Sequence, residues 1–520
     1  MKQFEPLNAV GGDRRARPSE AMISQVAARV ATFVIVMIQC CASAQIQEAW
    51  VARYNPGVSN STNQAVAIAL DSAGNVIVAG SSRTNGNFDY VTIKYSSSGT
   101  QLWVARYSSA SPSDDQVRAM AVDRQGNVYL TGTSVTAKYD ANGMFQWTAP
   151  YAGRALALDT NGNAHVTGFS TNDFATVKLN PMGSNVWLRT YDKAGCGDVS
   201  HAISIDNGGN VYVAGVSQFI CTEPANTYSR FTIAKYNASG VQLWVTNSPN
   251  TQYGPSRIEA VTTENVSGSV YITGNSFGDH QPYATSKYDQ DCSPIWSYYW
   301  QGSLTYSYVE NMASDNSGGV YLSGAVYALP VQPVRVFGTI KLNTLGEEVW
   351  VRRYGDPAAG NHVANAVKVD GDTNVYVTGN SSGSGSGNDF ATIKYDTNGN
   401  EKWVKRHDGP AHGDDQATAI AVDTNSGAVY VTGFSQNTSG GYDLTTIKYA
   451  FLQNIQLLTN GHAFLQFFGT PGQSYRFQGS INLSNWVDVG SNVADTNGIY
   501  RFEDTNSPAY PHRFYRTVTP

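Results

Sequence analysis

Between Trp50 and Tyr449 one unit recurs eight times, and a chain built this way folds as a repeat architecture or not at all. The fullest copies read Trp350-Val351-Arg352-Arg353-Tyr354, Ala366-Val367-Lys368-Val369-Asp370, Val375-Tyr376-Val377-Thr378-Gly379 and Ala391-Thr392-Ile393-Lys394-Tyr395. Three landmarks keep one order throughout. The tryptophans are Trp50, Trp103, Trp147, Trp187, Trp244, Trp296, Trp350 and Trp403; the glycines are Gly80, Gly132, Gly168, Gly215, Gly274, Gly324, Gly379 and Gly433. The lysines are Lys94, Lys138, Lys178, Lys235, Lys287, Lys341, Lys394 and Lys448, spaced 40 to 57 residues apart. A period of this size marks a solenoid, a propeller or an array.

Each unit holds four short runs rich in Val, Ile, Tyr, Thr and Ala, with the alternation of strands and no run of helical length. Turns such as Asp123-Arg124-Gln125-Gly126-Asn127 and Tyr395-Asp396-Thr397-Asn398-Gly399 separate them, with Gly supplying a positive φ and Asp or Asn bonding the local backbone. Four such strands in 45 to 55 residues predict a propeller blade. From the centre outwards, strand A is the Ala-Val-Asp run, B ends at the glycine, C carries the lysine and D begins at the tryptophan. The A–B and C–D links are tight and the B–C and D–A links are long, so loop variation gathers on one face, where function is expected. The chain starts in a strand D and leaves after a strand C, so entry and exit strands are expected to complete one shared blade. An open superhelix would need capping repeats, and none is evident. The expected fold is therefore an all-β, eight-bladed propeller of four-stranded antiparallel blades.

Residues 30 to 38 form an apolar core after Arg29, and Ala42-Ser43-Ala44 offers a small-residue cleavage site. That is a signal-peptide pattern over 1–44, with Met22 an alternative start, and the core is too short to span a bilayer. The propeller is expected at 45–449. Residues 450–520 give about six strand-like runs with turns at Pro471-Gly472, Asn497-Gly498 and Ser507-Pro508, and are expected to form a small β-sandwich-like module. Export permits disulfides. Cys196 precedes a strand A and Cys221 follows the strand B that pairs with it, so these two are expected to bond, leaving Cys292 free. Charged residues are only 14% and the net charge of −6 is unclustered, which argues against nucleic acid and anionic membranes as partners.

The unit Val-Tyr-Val-Thr-Gly … Asp-Phe-Ala-Thr-Ile-Lys-Tyr-Asp … Gly … Trp resembles the bacterial SBBP (seven-bladed beta-propeller) repeat over about 400 residues. The resemblance implies an exported or surface-associated protein with accessory β domains and no common activity; it also keeps seven blades as the alternative to eight. Glu264 stands where the family carries Asp, Cys292 where it carries a turn Gly, and two repeat intervals are short.

Eight lysines at one blade position read as a structural feature, not as catalytic groups. The aspartates ending strand A (Asp71, Asp123, Asp159, Asp206, Asp315, Asp370, Asp423) read as turn formers, too sparse for the known calcium loop, although calcium suits oxygen ligands. Asp114-Asp115 and Asp414-Asp415, with Asp89, Asp173, Asp389 and Asp443, lie at the long-loop face. Their repetition argues for loop ties rather than for the paired carboxylates of glycoside chemistry. His407 and His412 lack a third ligand at zinc spacing. No nucleophile elbow or phosphate loop is present. Tyr90, Phe219, Tyr228, Tyr283 and Tyr442 are candidate ligand-lining rings at the long-loop face. The expectation is a secreted, periplasmic or cell-surface scaffold, monomeric and non-catalytic, without cofactor or metal, that binds a glycan or a protein. The alternative is a hydrolase or lyase acting on polysaccharide, which a set of acids or histidines breaking the repeat at the channel mouth would favour.

Overall fold

The computed structural model describes residues 46–518 except 59, 85, 111–112, 171–172, 193–196, 219–228, 248–255, 265–266, 277–282, 301–306, 316, 329–333, 384, 386, 425, 452–453, 469–471, 473, 496–498 and 511–512. The signal segment, Phe219, Tyr228 and both cysteines of the expected disulfide lie outside the described residues.

Strand follows strand because each repeat offers four β-rich runs punctuated by Asp, Asn and Gly. The described residues hold eight four-stranded antiparallel blades: 63–107, 117–149, 155–191, 198–247, 256–300, 308–354, 362–407, and 415–451 closed by 46–54. In the first seven, A, B, C and D are neighbours in chain order. In the eighth, Ile46–Tyr54 is the outer strand beside Tyr442–Phe451, so opposite ends of the ring share one sheet. The eight A strands meet one another in succession, and Asn63–Leu70 of blade one meets Asp415–Val422 of blade eight, closing the ring about a central axis.

Strands B and C are buried on both faces because each is covered by the next blade. Side chains such as Val213, Ile233, Val377 and Ile393 are fully buried there. At roughly 1.5–3 kcal/mol for each buried large apolar side chain, these seams are the main source of stability.

Residues 46–450 form one compact unit and those from 451 belong to another. The second unit is a pair of three-stranded sheets around Leu465, Phe467, Phe477, Tyr500 and Tyr515, with Tyr475 stacked on Tyr500 at 4.2 Å between ring centroids.

Candidate functional site

One end of the ring is consumed by a repeated staple. Trp50, Trp187, Trp350 and Trp403 each lie between aromatic rings of two blades: Trp350 sits 6.2 Å from Tyr321 of its own blade and 6.0 Å from Tyr395 of the next. The C–D turn of the next blade covers the indole, and the turn glycine (Gly399, φ 75°) packs on the ring where a Cβ would collide with it. Cys292 takes that turn position in blade five with φ 72°; it is half-buried and its thiol pKa is raised, chiefly by burial. Seven tryptophans donate from Nε1 to a carbonyl of that turn: Trp50 to Ser97, Trp103 to Ala141, Trp147 to Pro181, Trp187 to Ala238, Trp244 to Gln290, Trp296 to Thr344 and Trp350 to Thr397, at 3.0 to 3.3 Å.

The repeated lysines use the same carbonyls. Lys448, Lys94, Lys138, Lys178, Lys235 and Lys341 donate to Ser97, Ala141, Pro181, Ala238, Gln290 and Thr397 at 2.8 to 3.3 Å, so each oxygen accepts from a lysine and an indole. Within its own blade Lys94 meets Asp71 at 2.9 Å, Lys178 meets Asp159 at 3.0 Å and Lys287 meets Glu264 at 3.1 Å. Six of them lie over a strand-B tyrosine at 4.8 to 5.3 Å from its ring centroid, as Lys394 does over Tyr376. Burial favours the neutral acid at Asp159, but hydrogen bonds from His165, Asn163 and Lys178 outweigh it and hold the carboxyl well below the usual range. Burial lowers Lys448 to about 8 despite Asp423.

Blade eight has no C–D turn, because its C and D strands come from opposite ends of the ring. Trp403 and Lys394 of blade seven face that gap. The buried Trp403 Nε1 accordingly has no acceptor among the described residues.

The loop-face end is different. In seven blades the A–B pairing skips one residue: Val66, Arg118, His201, Glu259, Glu310, Asn365 and Thr418. Arg154 holds the same position just before strand A of blade three, Ala155–Leu158. Such a bulge bends the strand and re-aims a side chain. Opposite it stands the landmark glycine of strand B: a Cβ on Gly379 would run into the Val363 carbonyl. The repeated glycine therefore makes room for a bulge whose residue varies from blade to blade.

These eight residues ring the axis near the loop face, and their charges are segregated. Arg118, Arg154 and His201 occupy blades two to four; Glu259 and Glu310 occupy blades five and six. Arg257 Nε lies 3.1 Å from Glu259 Oε1, and Asn275 Nδ2 donates to the same oxygen at 3.1 Å. Burial, then repulsion from Glu310, raises Glu259 to about 7 against the pull of Arg257 and Asn275. Burial also raises Glu310, opposed by Arg257 and Arg335. Burial, Arg154 and Arg257 push His201 down to about 4, so its imidazole is neutral near pH 7. Arg154 is lowered by burial and by Arg118 and Arg257. Arg257 thus acts on groups of blades three to six, which places its charge over the mouth of the ring. In seven of the eight blades the bulge position is followed by Ala, while the position itself changes from Val to Arg, His, Glu, Asn and Thr; that was the available sequence signal, and the strand periodicity concealed it.

The rings singled out from sequence fare differently. Tyr90 and Tyr283 are fully buried in strand C, at a repeat position held elsewhere by Phe174, Phe231, Phe337 and Phe390. Their hydroxyls donate to Val135 and Ala325 of the next blade at 3.0 and 3.2 Å, leaving no ring face open to a ligand. Tyr442 is half-buried against Phe434. The loop-face acids tie strands together: Asp114 accepts from the Phe88 N–H of the preceding blade at 2.9 Å and Asp414 from Asn388 N–H at 3.2 Å, while Asp89 pairs with Arg106 and Asp389 with Arg406. Oxygens of Asp389, Asp408 and Asp415 lie within 4.8 Å of one another, the spacing a cation would require. Arg406 already neutralises Asp389 at 2.6 Å, and Asp415 is taken up by Ser435 and by the N–H groups of Gly409 and Gln436.

A closed ring of repeated blades with one conserved staple at each complete seam defines a β-propeller. Residues 102–134 and 349–385 match the SBBP beta-propeller repeat. An uncharacterized WD repeat-containing protein of Acanthamoeba polyphaga mimivirus is 22% identical over 546 residues, covering 76% of this chain. The chain spans 38% of that protein's length. Solved structures of similar course include a protein of unknown function from Bacteroides caccae (TM-score 0.33, 11% identity, 59% of this chain and 98% of that one). A eukaryotic initiation factor gives 0.38 at 8% identity, with 74% and 90% covered. Chaetomium thermophilum Raptor gives 0.39 at 11%, with 79% and 29% covered. At these scores none carries an argument about function. No helix among the described residues is long and apolar enough to cross a membrane.

Proposed function

We propose that the chain is an exported, monomeric binding scaffold, at the cell surface or outside it, that takes a glycan or protein ligand at the loop face of the propeller. One observation carries this reading: the repeated tryptophans and lysines staple blades at the turn face, whereas the side chains that vary between blades gather at the bulges around the other end of the axis. Variable side chains on a rigid repeat scaffold are the arrangement of a recognition surface. A glycan-array and pull-down screen of residues 45–520 tests it; the expected outcome is a retained ligand that is lost on changing Arg118, His201 or Glu310. A screen that retains nothing refutes it.

A second reading, a polysaccharide hydrolase or lyase, is favoured by Glu259. A carboxyl with a pKa of about 7 beside a second carboxyl and a neutral imidazole can exchange protons at neutral pH. A polysaccharide-degradation assay run in parallel separates the two: turnover that Glu259→Gln abolishes establishes the enzyme, and ligand retention without turnover excludes it.

A further inference from the structure

We infer that the channel mouth is a binding site for a carboxylate-bearing saccharide, whose acid group is held by Arg118, Arg154 and Arg257 and whose hydroxyls meet Glu259 and Glu310. This deepens the scaffold reading and rests on it.

The guanidinium side of the mouth calls for an anion. Arg118 is exposed and makes no ion pair among the described residues. Arg154 is half-buried, and its charge is disfavoured by burial and by the repulsion of Arg118 and Arg257. A carboxylate placed between these groups relieves that repulsion, and guanidinium forks match its geometry with paired hydrogen bonds. His201, on the blade between Arg154 and Arg257, keeps a buried Nδ1 without a hydrogen-bond partner. Its half-buried imidazole, neutral near pH 7, can exchange a hydrogen bond with a ligand hydroxyl through its exposed part.

The adjoining side calls for hydroxyls. Glu259 and Glu310 stand on the next two blades, and their burial favours groups that accept or share hydrogen bonds over a second anion. Arg257 is the exposed link between the sides: its Nε holds Glu259 at 3.1 Å, and its side chain is 62% exposed. The ligand must therefore carry one acid and several neutral donors within a single compact unit. A uronic acid ring does so. An acidic peptide spreads its carboxylates along a chain and would set some of them against Glu259 and Glu310.

The test is isothermal titration of the full chain with oligomers of glucuronate, galacturonate, mannuronate and guluronate, each paired with its carboxyl-reduced counterpart, and with a polyglutamate peptide. We expect at least one uronate oligomer to bind and its reduced form to bind at least tenfold more weakly. Arg118→Gln, on an exposed side chain, should weaken that binding at least tenfold, while Arg124→Gln, the same charge change on the turn face, should leave it unaltered. Equal affinity for acid and reduced forms, equal losses in the two arginine variants, preference for polyglutamate, or no uronate binding would each overturn the assignment. Retention of a neutral glycan or a protein that is indifferent to Arg118→Gln but lost on changing His201 or Glu310 would overturn the acidic-saccharide site and leave the scaffold reading standing.

Discussion

Replacing Trp350 and Trp403 in turn by phenylalanine should have unequal effects, although the two occupy one repeat position. In both variants the indole becomes a smaller ring between two tyrosines, so the lost apolar contact largely cancels in the comparison. The hydrogen bonds do not cancel. Trp350→Phe removes the 3.1 Å bond to Thr397 O, which keeps its bond from Lys341, so the loss is one ordinary hydrogen bond, about 1 kcal/mol. Trp403→Phe removes a buried N–H that has no acceptor among the described residues, relieving a cost of about 1–3 kcal/mol. Trp350→Phe should therefore be the more destabilising by about 2–4 kcal/mol. Urea unfolding followed by far-ultraviolet circular dichroism, which does not depend on indole fluorescence, measures both. A difference below about 1 kcal/mol would refute the account of the closing seam, because it would mean that Trp403 Nε1 finds a partner equal to a turn carbonyl.

Glu259→Gln should stabilise the protein at pH 8 and change little at pH 4.5. The folded carboxyl titrates near 7 instead of 4.5, so stability is full below about pH 4.5 and falls as pH rises through 7, by about 3 kcal/mol in all; an equal effect of the substitution at both pH values, read from urea midpoints, would exclude the assignment. Asp71→Ala should cost about 3 kcal/mol or more, since it strands the Lys94 ammonium and unties the A–B turn, whereas Lys94→Met should cost far less because Asp71 keeps its bonds from Ala73 and Asn75. Calorimetric melts of the two variants should differ in that order. Non-reducing peptide mapping of the chain produced under oxidising conditions should recover Cys196 joined to Cys221, with about 3 kcal/mol of stability lost on reduction; a Cys196 alkylated as a free thiol would contradict the pairing.

Much of the ring was legible in the chain because its cause is local. Asp and Gly at fixed offsets turn the chain, β-branched and aromatic runs extend it, and a tryptophan, a glycine and a lysine at matching places in each copy report contacts that every complete blade makes with the next. The lysines were readable as structural for that reason, and the start in strand D with exit after strand C announced the shared blade. Repetition made the signal redundant, so two short intervals and Glu264 did not obscure it.

What surrounds the axis was decided by tertiary structure alone. Arg118, Arg154, His201, Arg257, Glu259 and Glu310 are spread over nearly 200 residues of sequence, and only ring closure, with a skipped residue in seven of the A–B ladders, brings them to a common mouth. A bulge leaves no mark in the alternation of apolar and polar residues, so the varying position read as ordinary strand. Tyr90 and Tyr283 erred in the opposite direction: their place beside long loops suggested exposure, but blade-on-blade packing buries that strand-C position on both faces. The Trp403 indole, without an acceptor among the described residues, follows from the same cause. Its sequence neighbourhood matches that of the other tryptophans, and its difference lies in a turn missing from the far side of a seam, because the blade it faces is assembled from the two ends of the ring.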